Sequence, residues 1–368
     1  MTLYLSLTHN CQLRCNYCYA GEKYHNPMSK KTILQSIDFT LKLPMQKLEF
    51  GFFGGEPLLE WELFQFATYD IERKAKEKNI ELVKTFTTNG VLLDKEKVRW
   101  LKQHGFYVVV SIDGNEAMHN THRLYANGEG TFKAVQNGIK ELQKVYNDGE
   151  YAVISVVTPE NISHLPDSLK YLHQELCIND IHLALNYFAD WGDETKTYTE
   201  LYHQVADYTI EQYRQGKKLN LDIIDDKIKT EIESSCKSCS FGELKLAIAP
   251  SGNIYPCERI IGNDTGALSM GNVHTGFDHS KRAELIEQRG NSNEECKTCP
   301  LKERCTNSCG CTNYTLTNSI NTTHGTVCFF QKLFIEVADK VASTLYEEEN
   351  EMFMRKFYGV ASTNFSMI

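Results

Sequence analysis

The sequence predicts an α/β chain, an open, partial (β/α)6 barrel followed by a smaller cysteine-rich domain. Three observations carry this prediction. Short apolar, β-rich runs alternate with helical runs through the first half of the chain. There are six such units, too few to close an eight-stranded barrel. Nine of the 13 cysteines crowd between Cys236 and Cys328, where long helical patterns are missing.

The strand candidates are Leu3–Leu7, Leu48–Phe53, Val83–Thr87, Tyr107–Ile112, Ala152–Val157 and Ile181–Phe188. Helical patterns at Lys30–Leu43, Leu58–Lys78, Lys95–His104, Phe132–Tyr146 and Ile162–Leu176 lie between them, and another spans Thr197–Gln215. This alternation implies parallel strands joined by right-handed crossovers. In such sheets chemistry gathers at the carboxyl ends of the strands. The loops Thr8–Cys18, Gly54–Pro57, Thr88–Gly90 and Asp113–Gly114 are therefore expected on one face. Residues 1–216 form the barrel in this reading. Lys217–Ser235, charged and without clear periodicity, is a bridge. Residues 236–346 form the cysteine-rich domain, in which Phe329–Tyr346 regains helical periodicity. Residues 347–368 are a tail, with Glu347–Glu351 a solvated helix end and Gly359–Ile368 loose.

The chain has 368 residues and a net charge of −9, an acidic balance that argues against nucleic acid or anionic membrane as a partner. No apolar run approaches the roughly 20 residues that span a bilayer. Met1–Thr8 has no basic segment leading into an apolar core, so no export signal is expected and the reading is cytoplasmic. Thiols there stay reduced, so 13 cysteines point to metal ligation rather than disulfides. Cys177, alone between the two groups, reads as a buried apolar thiol.

Cys11, Cys15 and Cys18 follow the first strand with the spacing Cys-x3-Cys-x2-Cys. Three thiolates can bind three irons of a cubane cluster and leave the fourth iron open to a chelating substrate, much as catalytic zinc keeps an open position. A three-cysteine zinc site completed by His9 or His25 is the competing reading. The second group reads Cys236-x2-Cys239-x17-Cys257, then Cys296-x2-Cys299-x5-Cys305-x3-Cys309 and x18 to Cys328. Eight thiolates suffice for two four-iron clusters. A pair of structural zinc sites is the alternative there.

The N-terminal triplet resembles that of the radical S-adenosylmethionine superfamily. The resemblance covers roughly residues 1–190 and implies that the open iron of a [4Fe-4S] cluster chelates S-adenosylmethionine. Reductive cleavage would then give methionine and a 5′-deoxyadenosyl radical. By the same resemblance the backbone beside Tyr17 neighbours the adenine. Gly54-Gly55-Glu56-Pro57 receives the cosubstrate's amino group, where glycines permit close backbone approach and a carboxylate complements an ammonium. Thr88-Asn89-Gly90 and Ser111-Ile112-Asp113-Gly114 resemble motifs of the subset that modifies peptides and proteins. They put Asn89 among the cosubstrate contacts and give Ser111 and Arg123 the cosubstrate's carboxylate.

The second cysteine group, with Gly252 five residues before Cys257, resembles the SPASM domain, which commonly carries two auxiliary [4Fe-4S] clusters. This implies three clusters in all. The first auxiliary cluster takes Cys236, Cys239, Cys257 and Cys309, and the second Cys296, Cys299, Cys305 and Cys328. Thr306, Asn307 and Ser308 stand where many relatives have a Gly-Gly pair, so the choice between Cys309 and Cys311 stays open. Glu258 matches the position of an aspartate thought to take the substrate's proton in anaerobic sulfatase-maturating enzymes. Its alternative is a plain ion pair with Arg259 or Lys245.

The expected activity is oxidative modification of a peptide side chain, as in ribosomal-peptide maturases that form cross-links or thioethers. Formylglycine formation in a sulfatase is one alternative, and a non-enzymatic multi-cluster electron carrier is another. The expected partners are a peptide or protein substrate and a low-potential electron donor such as a flavodoxin or ferredoxin. The first strand begins at about Thr2, so a leader-binding domain is not expected in front of it, and a separate leader-binding protein is a further candidate partner.

Overall fold

A computed structural model describes residues 1–233, 240–290, 292–306 and 308–359. Its strands are β1 (Thr2–Ser6), β2 (Lys47–Phe53), β3 (Glu81–Thr88), β4 (Phe106–Ser111), β5 (Tyr151–Val157), β6 (Asp180–Leu185), β7 (Asn220–Leu221), β8 (Lys245–Ile248) and β9 (Ile254–Tyr255). The chain forms two compact units. One contains Met1–Ile112, His122–Tyr151 and Ser240–Arg289; the other contains Asp113–Thr121, Ala152–Cys239 and Gly290–Ile368.

In the first unit β1 lies between β2 and β8, parallel to both, and β2, β3 and β4 follow in parallel. Strand β9 turns back antiparallel to β8. Leu3 faces Phe50 and Leu5 faces Phe52 across the β1–β2 ladder, and all four are buried. Phe64, from helix Trp61–Glu77, packs 4.0 Å from the Phe52 ring and 5.2 Å from both Phe86 and Phe106. These large rings supply much of the burial that holds β1–β4 together, each contributing on the order of 2–3 kcal/mol. In the second unit β5, β6 and β7 pair in parallel. Helix Gly325–Glu347 packs there against helices Thr195–Arg214 and Asp222–Glu233. Parallel strands with intervening helices bear out the α/β prediction. No helix among the described residues is long and apolar enough to cross a membrane.

Several expectations are corrected. The pattern Leu58–Lys78 divides into a 3-10 turn, Pro57–Glu60, and helix Trp61–Glu77, because Glu56 caps the turn with its side chain on Leu58 N. Lys217–Ser235, read as a bridge without clear periodicity, contains β7 and helix Asp222–Glu233. Its apolar face, Ile223, Ile224 and Ile228, is interrupted by Lys227, which points inward with 6% exposure and so hides the periodicity. Beyond Glu347 a further helix runs over Glu351–Tyr358, with Phe353 and Met354 buried. Cys177 is exposed rather than buried. It sits at φ +53° in the turn that ends a helical stretch, where Ile178 N bonds Leu172 O, and such a position turns its side chain outward. Within the tail expected to be loose, residues 360–368 lie outside the described residues.

Candidate functional site

The cysteine loop begins where β1 ends, and the carboxyl end of β2 is bonded directly to it. Gly55 N donates to Thr8 O at 2.9 Å and Glu56 N to Asn10 O at 2.8 Å. The approach is so close that a Cβ on Gly54, whose φ is +109°, would stand 2.1 Å from Ser6 Oγ. One on Gly55 would stand 2.1 Å from Asn10 O. Neither position tolerates a side chain.

Glu56 is 1% exposed and joins three elements. Its Oε1 accepts from Leu58 N at 3.0 Å and Thr88 Oγ1 at 2.9 Å, and its Oε2 accepts from Asn89 N at 2.8 Å. Burial pushes its carboxyl up to about 7, against the pull of these three donors. Asn89 then reaches the cysteines. Its Nδ2 lies 3.5 Å from Cys11 Sγ, and its Oδ1 accepts from Gln12 Nε2 at 3.3 Å. Leu13 N also donates to Cys11 Sγ, at 3.4 Å, and Lys23 Nζ stands 3.2 Å from Cys18 Sγ. Burial, with Glu56 nearby, holds the Cys11 thiol above its usual range although both donors favour the thiolate. Binding a metal cluster there must therefore displace a proton.

The segment after His122 is laced onto the same loop. Arg14 N donates to Leu124 O at 2.8 Å, and Leu13 bridges to Tyr125. Arg123, 7% exposed, holds its guanidinium 5.4 Å from the centre of the Tyr17 ring. Ser111, also 7% exposed, ends β4. The residues expected to serve the cosubstrate thus fall at the ends of β1–β4 and on one connecting segment. Gln12 and Lys23 belong to this site too; only proximity to the motif in sequence marked them.

The segment carrying Cys257 and Glu258 packs beside the residues that follow Cys18. Glu22 N donates to Asn263 Oδ1 at 2.7 Å, and the Arg259 guanidinium stacks 5.3 Å over the Tyr19 ring. Cys257 is 3% exposed. Glu258 pairs with Lys245 at 2.9 Å, one of its two candidate partners. Lys245 lies over the ring of Tyr4, whose hydroxyl donates to Glu49 Oε1 at 3.0 Å. Burial disfavours the Lys245 ammonium, but Glu258, Cys257 and Tyr4 together outweigh it and hold the group above its usual range.

In the second unit Cys236 and Cys239 lie outside the described residues. Cys296 lies in the short helix Glu294–Lys297, and Cys299 and Cys305 follow it on turns linked by Cys299 N to Cys296 O, Lys302 N to Cys299 O and Cys305 N to Lys302 O. Asn293, just before Cys296, exchanges hydrogen bonds with Thr323, five residues before Cys328. Thr306 N, just after Cys305, donates to Gln331 Oε1, three residues after Cys328. Cys328 stands in the first turn of helix Gly325–Glu347. These ties bring the segments carrying Cys296, Cys305 and Cys328 together, which suits a shared cluster. Cys309, the N-cap of helix Gly310–Thr317, lies 3.5 Å from the buried Cys311 through sulfur, so both thiols are at hand. No three His, Cys, Asp or Glu among the described residues converge as ligands of one metal ion. The thiolates of a cubane stand further apart, since each binds a different iron.

A family model described as the radical SAM superfamily matches residues 5–172. The cysteine-type anaerobic sulfatase-maturating enzyme of Clostridium perfringens is 24% identical over 322 residues, covering 81% of this chain and 85% of that one. The solved structure of native anSMEcpe with bound AdoMet and Cp18Cys peptide superposes with a TM-score of 0.80 at 22% identity, over 94% of this chain and 99% of that one. Streptococcus suis SuiB bound to its precursor peptide SuiA superposes with a TM-score of 0.58 at 16% identity, over 89% and 75%. These likenesses bear out the fold, and the family match falls on the half of the chain that carries Cys11, Cys15, Cys18 and the motifs joined to them. Residues 5–172 are therefore a domain of the radical S-adenosylmethionine superfamily, and the chain is an enzyme.

Proposed function

We propose that this enzyme oxidises a side chain of a peptide or protein substrate and uses three [4Fe-4S] clusters to do so. Cys11, Cys15 and Cys18 would hold the cluster that binds S-adenosylmethionine. Cys257 with Cys236, Cys239 and either Cys309 or Cys311 would hold one auxiliary cluster, and Cys296, Cys299, Cys305 and Cys328 the other. The first cluster, when bound and reduced, supplies the electron that splits S-adenosylmethionine into methionine and a 5′-deoxyadenosyl radical. The protein's own task is to orient that radical and exclude water. Arg123 and Ser111 would grip the cosubstrate's carboxylate, the backbone beside Tyr17 its adenine, and the Gly54–Glu56 segment its ammonium. Asn89 would steady Cys11.

The observation that carries the peptide-oxidation reading is the packing of the Glu258 segment against the residues after Cys18, through Asn263 and Glu22. It supports Glu258 as the group that takes the substrate's proton, oriented by Lys245. For a cysteine substrate, one hydrogen atom would leave to the radical, a proton to Glu258, and the remaining electron to the auxiliary cluster that Cys257 would help to hold. The resulting thioaldehyde adds water and releases hydrogen sulfide, leaving formylglycine.

We favour this reaction over cross-linking, which the sequence reading put first. The likeness to the peptide-bound sulfatase-maturating structure spans 99% of that chain, against 75% for SuiB. Cross-linking is the second reading, supported by the likeness to SuiB. A flavodoxin or ferredoxin would supply the electron in either case, and a separate leader-binding protein would join only in the second.

The test is anaerobic reconstitution with a reductant, S-adenosylmethionine and a cysteine-containing peptide. Formation of 5′-deoxyadenosine together with a product trapped by a hydrazide is expected. Loss of two hydrogens with no hydrazide adduct would favour cross-linking, and no 5′-deoxyadenosine at all would remove both readings.

A further inference from the structure

Lys23 is tied to the first cysteine loop by two bonds. Its Nζ donates to Cys18 Sγ at 3.2 Å and to Gly21 O at 2.9 Å. The second bond fixes the first, because the backbone that carries Gly21 O is itself held. Gly21 has φ +74°, and a Cβ there would stand 2.2 Å from Asn263 Oδ1. Glu22 N donates to that same oxygen at 2.7 Å. The ammonium therefore stands beside the sulfur on a short, braced turn.

No carboxylate among the described residues pairs with this charge, and its two hydrogen bonds are those to Cys18 and Gly21. The loop's other cation is used differently. The Arg14 guanidinium donates to the carbonyls of Cys11 and Leu13, at 2.6 and 2.9 Å. Two neutral donors reach Cys11 Sγ, Leu13 N at 3.4 Å and Asn89 Nδ2 at 3.5 Å. Of the polar contacts to the sulfurs of Cys11 and Cys18 among the described residues, the one from Lys23 is the shortest and the one that carries a charge. A charge-assisted hydrogen bond is about twice as strong as a neutral one.

We infer that Lys23 is a positioning residue that raises the reduction potential of the S-adenosylmethionine-binding cluster through its bond to Cys18 Sγ. This rests on the proposed assignment of Cys11, Cys15 and Cys18 to that cluster. The cluster takes one electron from the external donor and becomes one unit more negative, with no bond made or broken. Part of the added charge falls on the thiolate sulfurs, so a hydrogen bond from an ammonium stabilises the reduced form more than the oxidised one. Cys18 is exposed, and water and salt would screen a cation standing further off. Direct contact leaves no room for water between Nζ and Sγ. A donor of given potential then keeps more of the cluster reduced and ready to split S-adenosylmethionine.

The experiment is a redox titration of the anaerobically reconstituted full chain, followed by electron paramagnetic resonance, with iron counted for each variant. The cluster is recognised as the signal that changes when S-adenosylmethionine is added, and Cys18→Ala should remove it. If that signal survives in Cys18→Ala, the cysteine assignment fails and the inference falls with it. If it disappears, Lys23 is tested by itself. Lys23→Met is expected to shift the midpoint of that signal to lower potential and to leave the other midpoints unmoved. Lys23→Gln, which keeps a neutral donor, should fall between Lys23→Met and the parent, and Lys23→Arg should stay near the parent. An unchanged midpoint in either neutral variant, fully loaded with iron, overturns the inference. So does failure of both neutral variants to load iron, which would make Lys23 a part of cluster assembly only.

Discussion

The two cysteine regions are built on different supports. The loop Cys11–Cys18 hangs from a strand whose neighbours are buried aromatic residues, and its backbone is bonded to the Gly54–Glu56 turn. The turns from Cys296 to Cys305 contain only short helical pieces and few buried side chains. They are held by polar ties, Asn293 to Thr323, Arg304 to Asp339 and Lys227 to Gln331. Such hydrogen bonds contribute about 1 kcal/mol each, while a buried ring contributes two or three times that. In the first region the fold makes the site; in the second, the bound metal is expected to complete the fold.

The largest effect should come from removing one ligand of the first region. Cys15→Ala is expected to abolish 5′-deoxyadenosine formation while the secondary structure and the iron bound by the other cysteines persist. Detection of 5′-deoxyadenosine by liquid chromatography checks it, and cleavage at the parent rate would refute the assignment of the triplet.

Removing all metal should separate the regions next. In hydrogen exchange, amides of residues 292–306 are expected to lose protection on the order of 100-fold in the apo chain, because metal binding there is folding free energy. Amides of β1 to β4 should change little. Equal protection of the cysteine turns with and without metal would mean that their polar ties suffice.

The smallest effect concerns Glu56 and follows from its burial. Its folded-state carboxyl titrates at about 7, against an ordinary value of 4.5, so the folded chain holds a proton that the unfolded chain has released. That contribution to stability is fully present below the unfolded value and is lost as pH rises through about 7. The metal-free parent should lose stability across this window relative to Glu56→Gln, by a few kcal/mol at most. Denaturant unfolding of both at about pH 5 and about pH 8 measures it. A parallel response in the two proteins would show that Glu56 keeps its charge through other contacts.

Much of this was legible in the chain. Strand and helix alternation was readable because β1 to β4 are short apolar runs with turn residues at their ends. The Cys-x3-Cys-x2-Cys triplet was readable because its three thiols stand close together along the chain. Helix Asp222–Glu233 was not, since one of its inward positions is a lysine, and a lysine in a charged stretch looks like a solvated face. The exposure of Cys177 was missed for a related reason. A thiol's burial depends on the direction its backbone takes, and φ +53° at the end of a helical stretch carries no strong sequence mark.

The sequence by itself determined the alternation of strands and helices and the Cys-x3-Cys-x2-Cys spacing, because each is settled by residues near one another along the chain. Only the tertiary structure decided that Glu56 binds the Thr88–Asn89 turn, that Glu258 pairs with Lys245 and that Lys227 meets Arg304 and Gln331. Those contacts join residues 13 to 104 positions apart. Burial forces their charged and polar atoms to find partners, and which partner is within reach is fixed by how the strands and helices pack.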